Sequence, residues 1–233
     1  MIVIIFILFV IICLLLLYLK LREDLNINDI NIIGYIHVCQ KGEWYKSYDL
    51  LIDAIRTSKL YDNTSEIRVG IVNEYSQIIK DERFNDPKIK IIFVGDSKLY
   101  ERPTLLHMKE YSCKDKPGTL YYYLHTKGIR WFGTEYEKEV LDWINSMLYW
   151  NIIKWQYAVE KLYKHSTYGC NFNGGHYVGN FWWATQNHIK KLPDKIADYY
   201  TAPEDWILTN KDGMYCSYNC GTIFKLPYPK DLY

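Results

Sequence analysis

The sequence lacks a charge imbalance, a cysteine framework and internal repeats. Its 233 residues carry 28 Lys and Arg against 27 Asp and Glu, a formal net charge of +1. This balance leaves no polybasic footprint, so nucleic acid is not an expected partner. The six cysteines are scattered and form neither a disulfide framework nor a compact zinc motif. We expect one domain of about 200 residues with a sizeable apolar core.

Charge is also missing from the beginning of the chain. Residues 2–19 contain no Asp, Glu, Lys or Arg, and a helix of about this length crosses a hydrocarbon core of ~30 Å. The segment has neither the small-residue cleavage site of a signal peptide nor the polar face of a core helix. We predict a single-pass membrane anchor. The predicted organisation is an anchor at 1–21, a tether at 22–33 and a globular domain at 34–233.

The side of the membrane on which the domain lies stays open. Lys20 and Arg22 follow the predicted span, and basic residues favour the cytosolic side. Acidic Glu23 and Asp24 come directly after them. The sequence therefore predicts attachment to a membrane and leaves the sidedness undecided.

Apolar runs and helical periodicity alternate through the first half of the domain. This alternation predicts an α/β fold with a mostly parallel sheet and flanking helices. Apolar residues then recur at a period near 3.6, which predicts one continuous helix from Thr134 to about Tyr163. The predicted strands span 34–39, 67–72, 89–94 and 120–124, and the earlier helices span 44–58 and 103–111.

A row of polar residues follows the fourth predicted strand. It consists of His125, Thr126, Lys127 and Gly128. Open parallel sheets bind ligands at the carboxyl ends of their strands, where an imidazole, a hydroxyl and an ammonium could hold phosphates. The alternative is a polar turn that only closes the strand, and we favour phosphate binding.

A later segment combines aromatic and small residues with a few polar ones. His176, Tyr177, Asn180 and Trp182 lie in it. Small-ligand pockets have apolar walls with few polar groups, and sugars stack their CH faces on aromatic rings. Ordinary core packing is the alternative for the aromatic residues.

Three acidic residues are candidates for the chemistry. Glu204 and Asp205 adjoin Trp206, and either could act as a base or orient an acceptor hydroxyl. Acids are also common at the start of a helix. Glu101 precedes a predicted helix, and taken alone it is best interpreted as such an acid.

Several strings in fixed order resemble a known family. They are YYYLHTKGIRW at 121–131, GCNF at 169–172, HYVGNFWWA at 176–184 and APEDWI at 202–207. Together they resemble small A-type glycosyltransferases of large DNA viruses and of bacterial surface-glycan clusters, over residues 34–210. The resemblance implies a nucleotide-sugar-binding α/β domain that transfers a sugar to an acceptor.

The resemblance also implies roles for individual residues. The implied catalytic residues are Glu204, Asp205 and His176. The residues implied to bind the donor and its diphosphate are His125, Thr126, Lys127, Gly128, His37 and Lys41. The sugar and acceptor pocket would comprise Asn180, Trp182, Tyr177 and Glu101.

One feature of many A-type enzymes is missing. They hold Mn²⁺ or Mg²⁺ with an Asp-x-Asp pair, and this chain has none. His125, Thr126 and Lys127 stand where that pair is expected. Lysine cannot ligate a cation, but Lys127 could neutralise the leaving diphosphate directly. Dependence on a divalent metal therefore stays open.

The function that we expect is that of a membrane-anchored glycosyltransferase, which moves a sugar from a nucleotide-sugar to a glycan or glycoconjugate hydroxyl. The alternative is a non-catalytic membrane protein that binds a glycan or a nucleotide on the same fold. A glycoside hydrolase ranks last, because adjacent acids such as Glu204 and Asp205 are poorly placed to flank a glycosidic bond.

Overall fold

A computed structural model describes residues 9, 11–12, 30–77 and 80–220. Apart from residues 9, 11 and 12, the predicted anchor lies outside the described residues, as does most of the tether. Within the part of the chain that is described, no helix is long and apolar enough to cross a membrane. The unit described below begins at Asn31.

A single mixed sheet forms the centre of the domain. Its strands and those of a small hairpin are, in chain order, β1 (Ile32–Cys39), β2 (Thr64–Asn73), β3 (Ile89–Asp96), β4 (Leu120–His125), β5 (Thr167–Gly169), β6 (Phe172–Asn173), β7 (His176–Tyr177), β8 (Trp182–Thr185) and β9 (Met214–Cys216). The seven-stranded sheet has the order β3-β2-β1-β4-β8-β5-β9, while β6 and β7 form the hairpin. Within the seven-stranded sheet only β8 runs against its neighbours.

Helices flank this sheet. They are α1 (Trp44–Thr57), α2 (Leu60–Asn63), α3 (Arg102–Tyr111), α4 (Glu137–Leu148), α5 (Trp155–Leu162), α6 (Gln186–Lys191) and α7 (Ala202–Trp206). Nearly every residue of β1 and β4 is buried, as expected for strands covered on both faces. The expected α/β fold with a mostly parallel sheet and flanking helices is confirmed.

The order of the strands reverses at β1. The chain adds β2 and β3 on one side of β1 and then returns to place β4 on the other side. The carboxyl ends of β1 and β4 are therefore neighbours with diverging connections. Such a switch point is where open α/β sheets bind ligands.

The start of the domain differs slightly from the prediction. β1 begins at Ile32, two residues before the predicted boundary at 34, and Ile32 and Ile33 are buried. Both therefore belong to the sheet and not to the tether, because their side chains complete the apolar core.

The predicted continuous helix from Thr134 to Tyr163 is wrong, because it is interrupted. Between α4 and α5 the backbone forms a π-helical segment, Tyr149–Ile153. There the Trp183 indole donates to the carbonyl of Asn151 at 2.7 Å, and the Tyr168 hydroxyl donates to that of Trp150 at 2.8 Å. Side-chain donors from the sheet thus bind carbonyls that would accept from backbone amides in a regular helix. Insertion of a side chain into the helical hydrogen bonds is a known cause of such bulges.

The close packing of β1 against β4 predicts a cost for any side chain at Gly34. A Cβ atom there would lie 2.3 Å from the ring and hydroxyl of Tyr122. We expect Gly34→Ala to lower the free energy of unfolding by roughly 1–3 kcal/mol, the usual cost of overpacking. Urea denaturation measures it.

The double variant Gly34→Ala with Tyr122→Leu is the control, because the smaller side chain at position 122 makes room for the methyl group. It should lose less stability than the two single changes added together. Wild-type stability in Gly34→Ala would contradict the packing described here.

Candidate active site

Two histidines stand side by side at the switch point. His37 and His125 occupy paired positions at the carboxyl ends of β1 and β4. Nδ1 of His37 lies 2.9 Å from the hydroxyl of Thr104 in α3, and Nε2 of His125 lies 2.9 Å from the carbonyl oxygen of Gly179. A carbonyl only accepts, so Nε2 of His125 carries a proton.

Burial keeps both imidazoles neutral near pH 7. Desolvation, and to a smaller extent the charge of Lys127, lower the pKa of His125 to about 3. Desolvation also lowers the pKa of His37 to about 4, with a smaller contribution from His125. Nδ1 of His125 therefore keeps a lone pair, and it lies 3.8 Å from the Glu101 carboxylate.

Glu101 provides a fixed, largely buried carboxylate. Its Oε2 atom accepts hydrogen bonds from the Tyr123 hydroxyl and from the Asn180 amide, both at 2.6 Å. The Trp182 indole donates to the other end of the Asn180 amide at 2.8 Å, which fixes the orientation of that amide. Asn180 has a φ of 58°, a conformation that asparagine tolerates better than most residues.

Lys127 lies just beyond β4, in a turn that hydrogen bonds of the neighbouring Thr126 fix to β1. The Thr126 amide donates to the carbonyl of His37, and the Thr126 hydroxyl accepts from the Cys39 amide, both at 2.9 Å. Gly128 follows with a φ of 70°, and a Cβ atom there would lie 2.6 Å from Val140. Thr126 and Gly128 thus shape the turn and tie β4 to β1.

The Lys127 ammonium has two neighbours. Nζ lies 4.6 Å from the centre of the Trp143 ring and 3.8 Å from Oε1 of Glu204. Its side chain is only 14% exposed. The ammonium is therefore held beside an aromatic face, without a close hydrogen bond to the carboxylate.

The acids of α7 meet a histidine from the β6–β7 hairpin. Nδ1 of His176 donates to Asp205 at 2.9 Å, and Nε2 of His176 lies 3.4 Å from Glu204. The Tyr199 hydroxyl donates to the other oxygen of Asp205 at 3.0 Å. Pro203 lies in the first turn of α7, a position that suits proline, so the acids project from a defined helix start.

The structure brings together eight of the predicted site residues, hereafter the polar cluster. They are His37, Glu101, His125, Lys127, His176, Asn180, Glu204 and Asp205. A neutral histidine that donates through Nδ1 to Asp205 keeps a lone pair at Nε2. The polar cluster thus combines a cation, fixed carboxylates and an oriented imidazole.

Other predicted residues lie elsewhere. Lys41 is exposed and forms an ion pair with Glu74 at 3.2 Å. Tyr177 and Trp182 are completely buried in the apolar core. Tyr177 bonds with Thr167 and Tyr215. For these two aromatic residues the structure shows core packing, because their rings expose no surface to a ligand.

Residues that the sequence did not single out also contribute. Tyr123 binds Glu101, Thr104 binds His37, and Tyr199 binds Asp205. The two-residue period of a strand places Tyr123 on the same face as His125, so Tyr123 could have been found from the sequence. No pattern indicates Thr104 or Tyr199.

The carboxylates of the polar cluster are already in contact with other groups of the protein. Glu101 and Asp205 each already accept two close hydrogen bonds, and Glu204 faces the Lys127 ammonium. Among the described residues, no group of three His, Cys, Asp or Glu side chains is arranged to hold a metal ion.

A cavity of about 490 Å³ lies away from the polar cluster, between α1 and residues 82–87. Two arginines line it, but each is paired with an acid: Arg56 with Asp86 at 2.9 Å and Arg83 with Asp49 at 2.8 Å. Their charges are thus compensated within the protein.

No protein-family model, curated protein or solved structure matches this chain. A functional assignment therefore depends on the polar cluster and on the resemblance in the sequence.

The buried histidines predict how stability depends on pH. Unfolding restores an ordinary pKa near 6.5, so the unfolded chain binds more protons than the folded one between pH 4 and 6.5. Stability is then complete above pH 6.5 and falls as the pH decreases. His37 alone should account for roughly 3 kcal/mol of that loss.

Urea denaturation between pH 4 and 7.5 measures this dependence. We expect His37→Gln to flatten the pH profile, because glutamine does not titrate. The matched control is His165→Gln, because His165 is only half-buried and lies outside the polar cluster. Identical profiles for wild type and His37→Gln would contradict the assignment.

Proposed function

We propose that this chain is a membrane-anchored glycosyltransferase, which transfers a sugar from a nucleotide-sugar to a hydroxyl of a glycan or glycoconjugate. The main support is the position of the polar cluster at the carboxyl ends of β1 and β4, where the strand order reverses. Ligands of open α/β sheets bind at such points. The A-type resemblance agrees with this location.

The loose ion pair in the polar cluster also supports a functional site. The Lys127 ammonium lies 3.8 Å from the Glu204 carboxylate. By contrast, Arg68 binds both oxygens of Asp115 at 2.6 and 2.8 Å. Arg68 forms the geometry of a structural ion pair, whereas the polar cluster leaves charged groups able to bind a ligand.

Lys127 is the proposed partner of the leaving diphosphate. In the proposed reaction the acceptor oxygen bonds to the anomeric carbon, and the bond from that carbon to the donor phosphate oxygen breaks. The nucleoside diphosphate leaves with the negative charge that develops on it. An ammonium held beside Trp143 stabilises this charge without having to reorganise.

His176 is the proposed base for the acceptor hydroxyl. Asp205 holds Nδ1 of His176 as a donor, and Nε2 is then the atom that takes the hydroxyl proton. The role of Asp205 is to orient the imidazole, as in other acid–histidine pairs. Glu204 lies next to both Nε2 and Lys127, where it can accept a hydrogen bond from a sugar hydroxyl.

The membrane part of the proposal depends on the sequence. Residues 2–19 are uncharged and of spanning length. An anchor there would hold the domain close to acceptors in or near a membrane.

A second candidate is a non-catalytic protein that binds a neutral glycan. The polar cluster contains three carboxylates, Glu101, Glu204 and Asp205, but one lysine. This acidic balance disfavours a diphosphate and suits an uncharged ligand. Binding of nucleotide-sugars distinguishes the two functions.

Turnover of nucleotide-sugars tests the proposed transferase. We expect the full chain, purified in detergent, to hydrolyse one member of a nucleotide-sugar panel slowly, because transferases lose some donor to water. Lys127→Ala should lower that rate on the order of 100-fold, the usual effect of removing one group that stabilises developing charge. Each donor is assayed with and without Mn²⁺ or Mg²⁺.

Lys114→Ala is the matched control, since Lys114 pairs with Glu110 on the exposed surface of the domain and should leave the rate unchanged. Full activity in Lys127→Ala would refute the diphosphate assignment. If no donor turns over and only glycans bind, the non-catalytic function replaces the transferase.

A further inference from the structure

Three exposed tyrosines lie next to the polar cluster. Tyr100, Tyr199 and Tyr200, hereafter the tyrosine rim, are 44%, 54% and 67% exposed. The rings of Tyr100 and Tyr200 meet edge to face, with centroids 5.6 Å apart. Isolated exposed aromatic residues are common, but a contiguous group of them marks a binding surface.

An arginine holds the two segments of the tyrosine rim together. The guanidinium of Arg102 donates to the carbonyl of Ala197 at 2.8 Å and to that of Tyr199 at 2.8 Å. It also lies 5.6 Å from the centre of the Tyr100 ring. The start of α3 is thereby connected to residues 197–200, so the exposed rings are oriented before any ligand binds.

The backbone of Tyr100 is strained. Its φ is 49° and its ψ is −141°, a conformation that is rare for a residue with a large side chain. Glycine would adopt this conformation without strain. Backbone strain of this kind concentrates at functional sites. Here it places an exposed ring immediately before Glu101.

The tyrosine rim is bonded directly to the polar cluster. The Tyr199 hydroxyl donates to Asp205, which in turn accepts from His176. The hydrogen bond to Asp205 also raises the pKa of Tyr199, so the phenol stays a donor. A ligand on the rim therefore lies beside the imidazole proposed to take the acceptor proton.

We propose that the tyrosine rim is a carbohydrate-binding subsite that holds the acceptor glycan, a neutral oligosaccharide. The acceptor role rests on the proposed transferase function. A pyranose has an apolar CH face and a circumference of hydroxyls. Tyrosine offers a matching apolar ring with a polar tip.

The charges around the tyrosine rim favour a neutral sugar over an acidic one. Asp198 is fully exposed there, and Glu204 and Asp205 lie beside it. The cation of Arg102 is occupied by backbone carbonyls. An anionic sugar would therefore meet these carboxylates, while Arg102 already faces Asp198 at 3.8 Å.

Saturation-transfer NMR with the full chain tests the subsite. The probes are cellobiose, maltose, chitobiose and lactose, with sialyllactose as the anionic counterpart of lactose. We expect transfer to the CH protons of at least one neutral sugar and a weaker signal from sialyllactose. Tyr100→Gly and Tyr200→Ala should each weaken binding about tenfold, the contribution of one stacked ring.

Two features of the variants separate binding from folding. Tyr100→Gly removes the ring and also relieves the backbone strain, so its thermal stability should not fall while its binding does. Tyr200→Phe keeps the ring and should bind as wild type does. Tyr163→Ala, at an exposed position after α5, is the matched control.

The results distinguish this subsite from the transferase proposal. Donor hydrolysis by the wild type, together with glycan binding that the rim variants lose, supports both. Rim-dependent glycan binding without any donor turnover supports the subsite and overturns the transferase. If no sugar of the panel binds, or if the rim variants bind as Tyr163→Ala does, the subsite is overturned.

Discussion

The arrangement of the site depends on the hydrogen bonds that the Glu101 carboxylate accepts. A buried charge is costly unless close hydrogen bonds compensate it. Glu101 receives two, at 2.6 Å, from Tyr123 in β4 and from Asn180 in the turn before β8. Because Glu101 itself precedes α3, one carboxylate connects the parallel half of the sheet with its antiparallel strand.

The other groups follow from that connection. Asn180 is held by Trp182, and the adjacent Gly179 supplies the carbonyl that fixes His125. His125 in turn lies beside Lys127 across the turn after β4. The position of Lys127, the residue proposed to bind the diphosphate, is thus determined by core residues. This is the preorganisation that electrostatic catalysis needs.

The sequence predicts the first four strands of the sheet. The apolar runs of β1, β2 and β4 are buried on both faces, so the local pattern suffices to find them. It fails at the π-helical segment Tyr149–Ile153, because the donors that interrupt the helix come from the distant residues Tyr168 and Trp183. Glu101 illustrates the same limit in the site. Next to a helix it resembles an ordinary N-terminal acid, and its partner Asn180 is 79 positions away.

Side-chain direction decided the remaining differences. Tyr177 and Trp182 belong to a segment with the composition of a pocket, yet both point into the core, and their neighbour Asn180 carries the polar contact. The composition of a segment shows which residue types it contains, but not whether each side chain points into the core or towards a ligand. The Asp205–His176–Glu204 arrangement likewise required two separate elements, the β6–β7 hairpin and α7, to meet.

A crystal structure with a bound nucleotide-sugar is the most direct measurement of the central claim, that the polar cluster at the carboxyl ends of β1 and β4 is an active site. The account predicts the diphosphate within hydrogen-bonding distance of the Lys127 ammonium, with the sugar between Glu204 and His176. A nucleotide bound instead in the cavity beside Arg56 and Arg83, with the polar cluster unchanged, would contradict it.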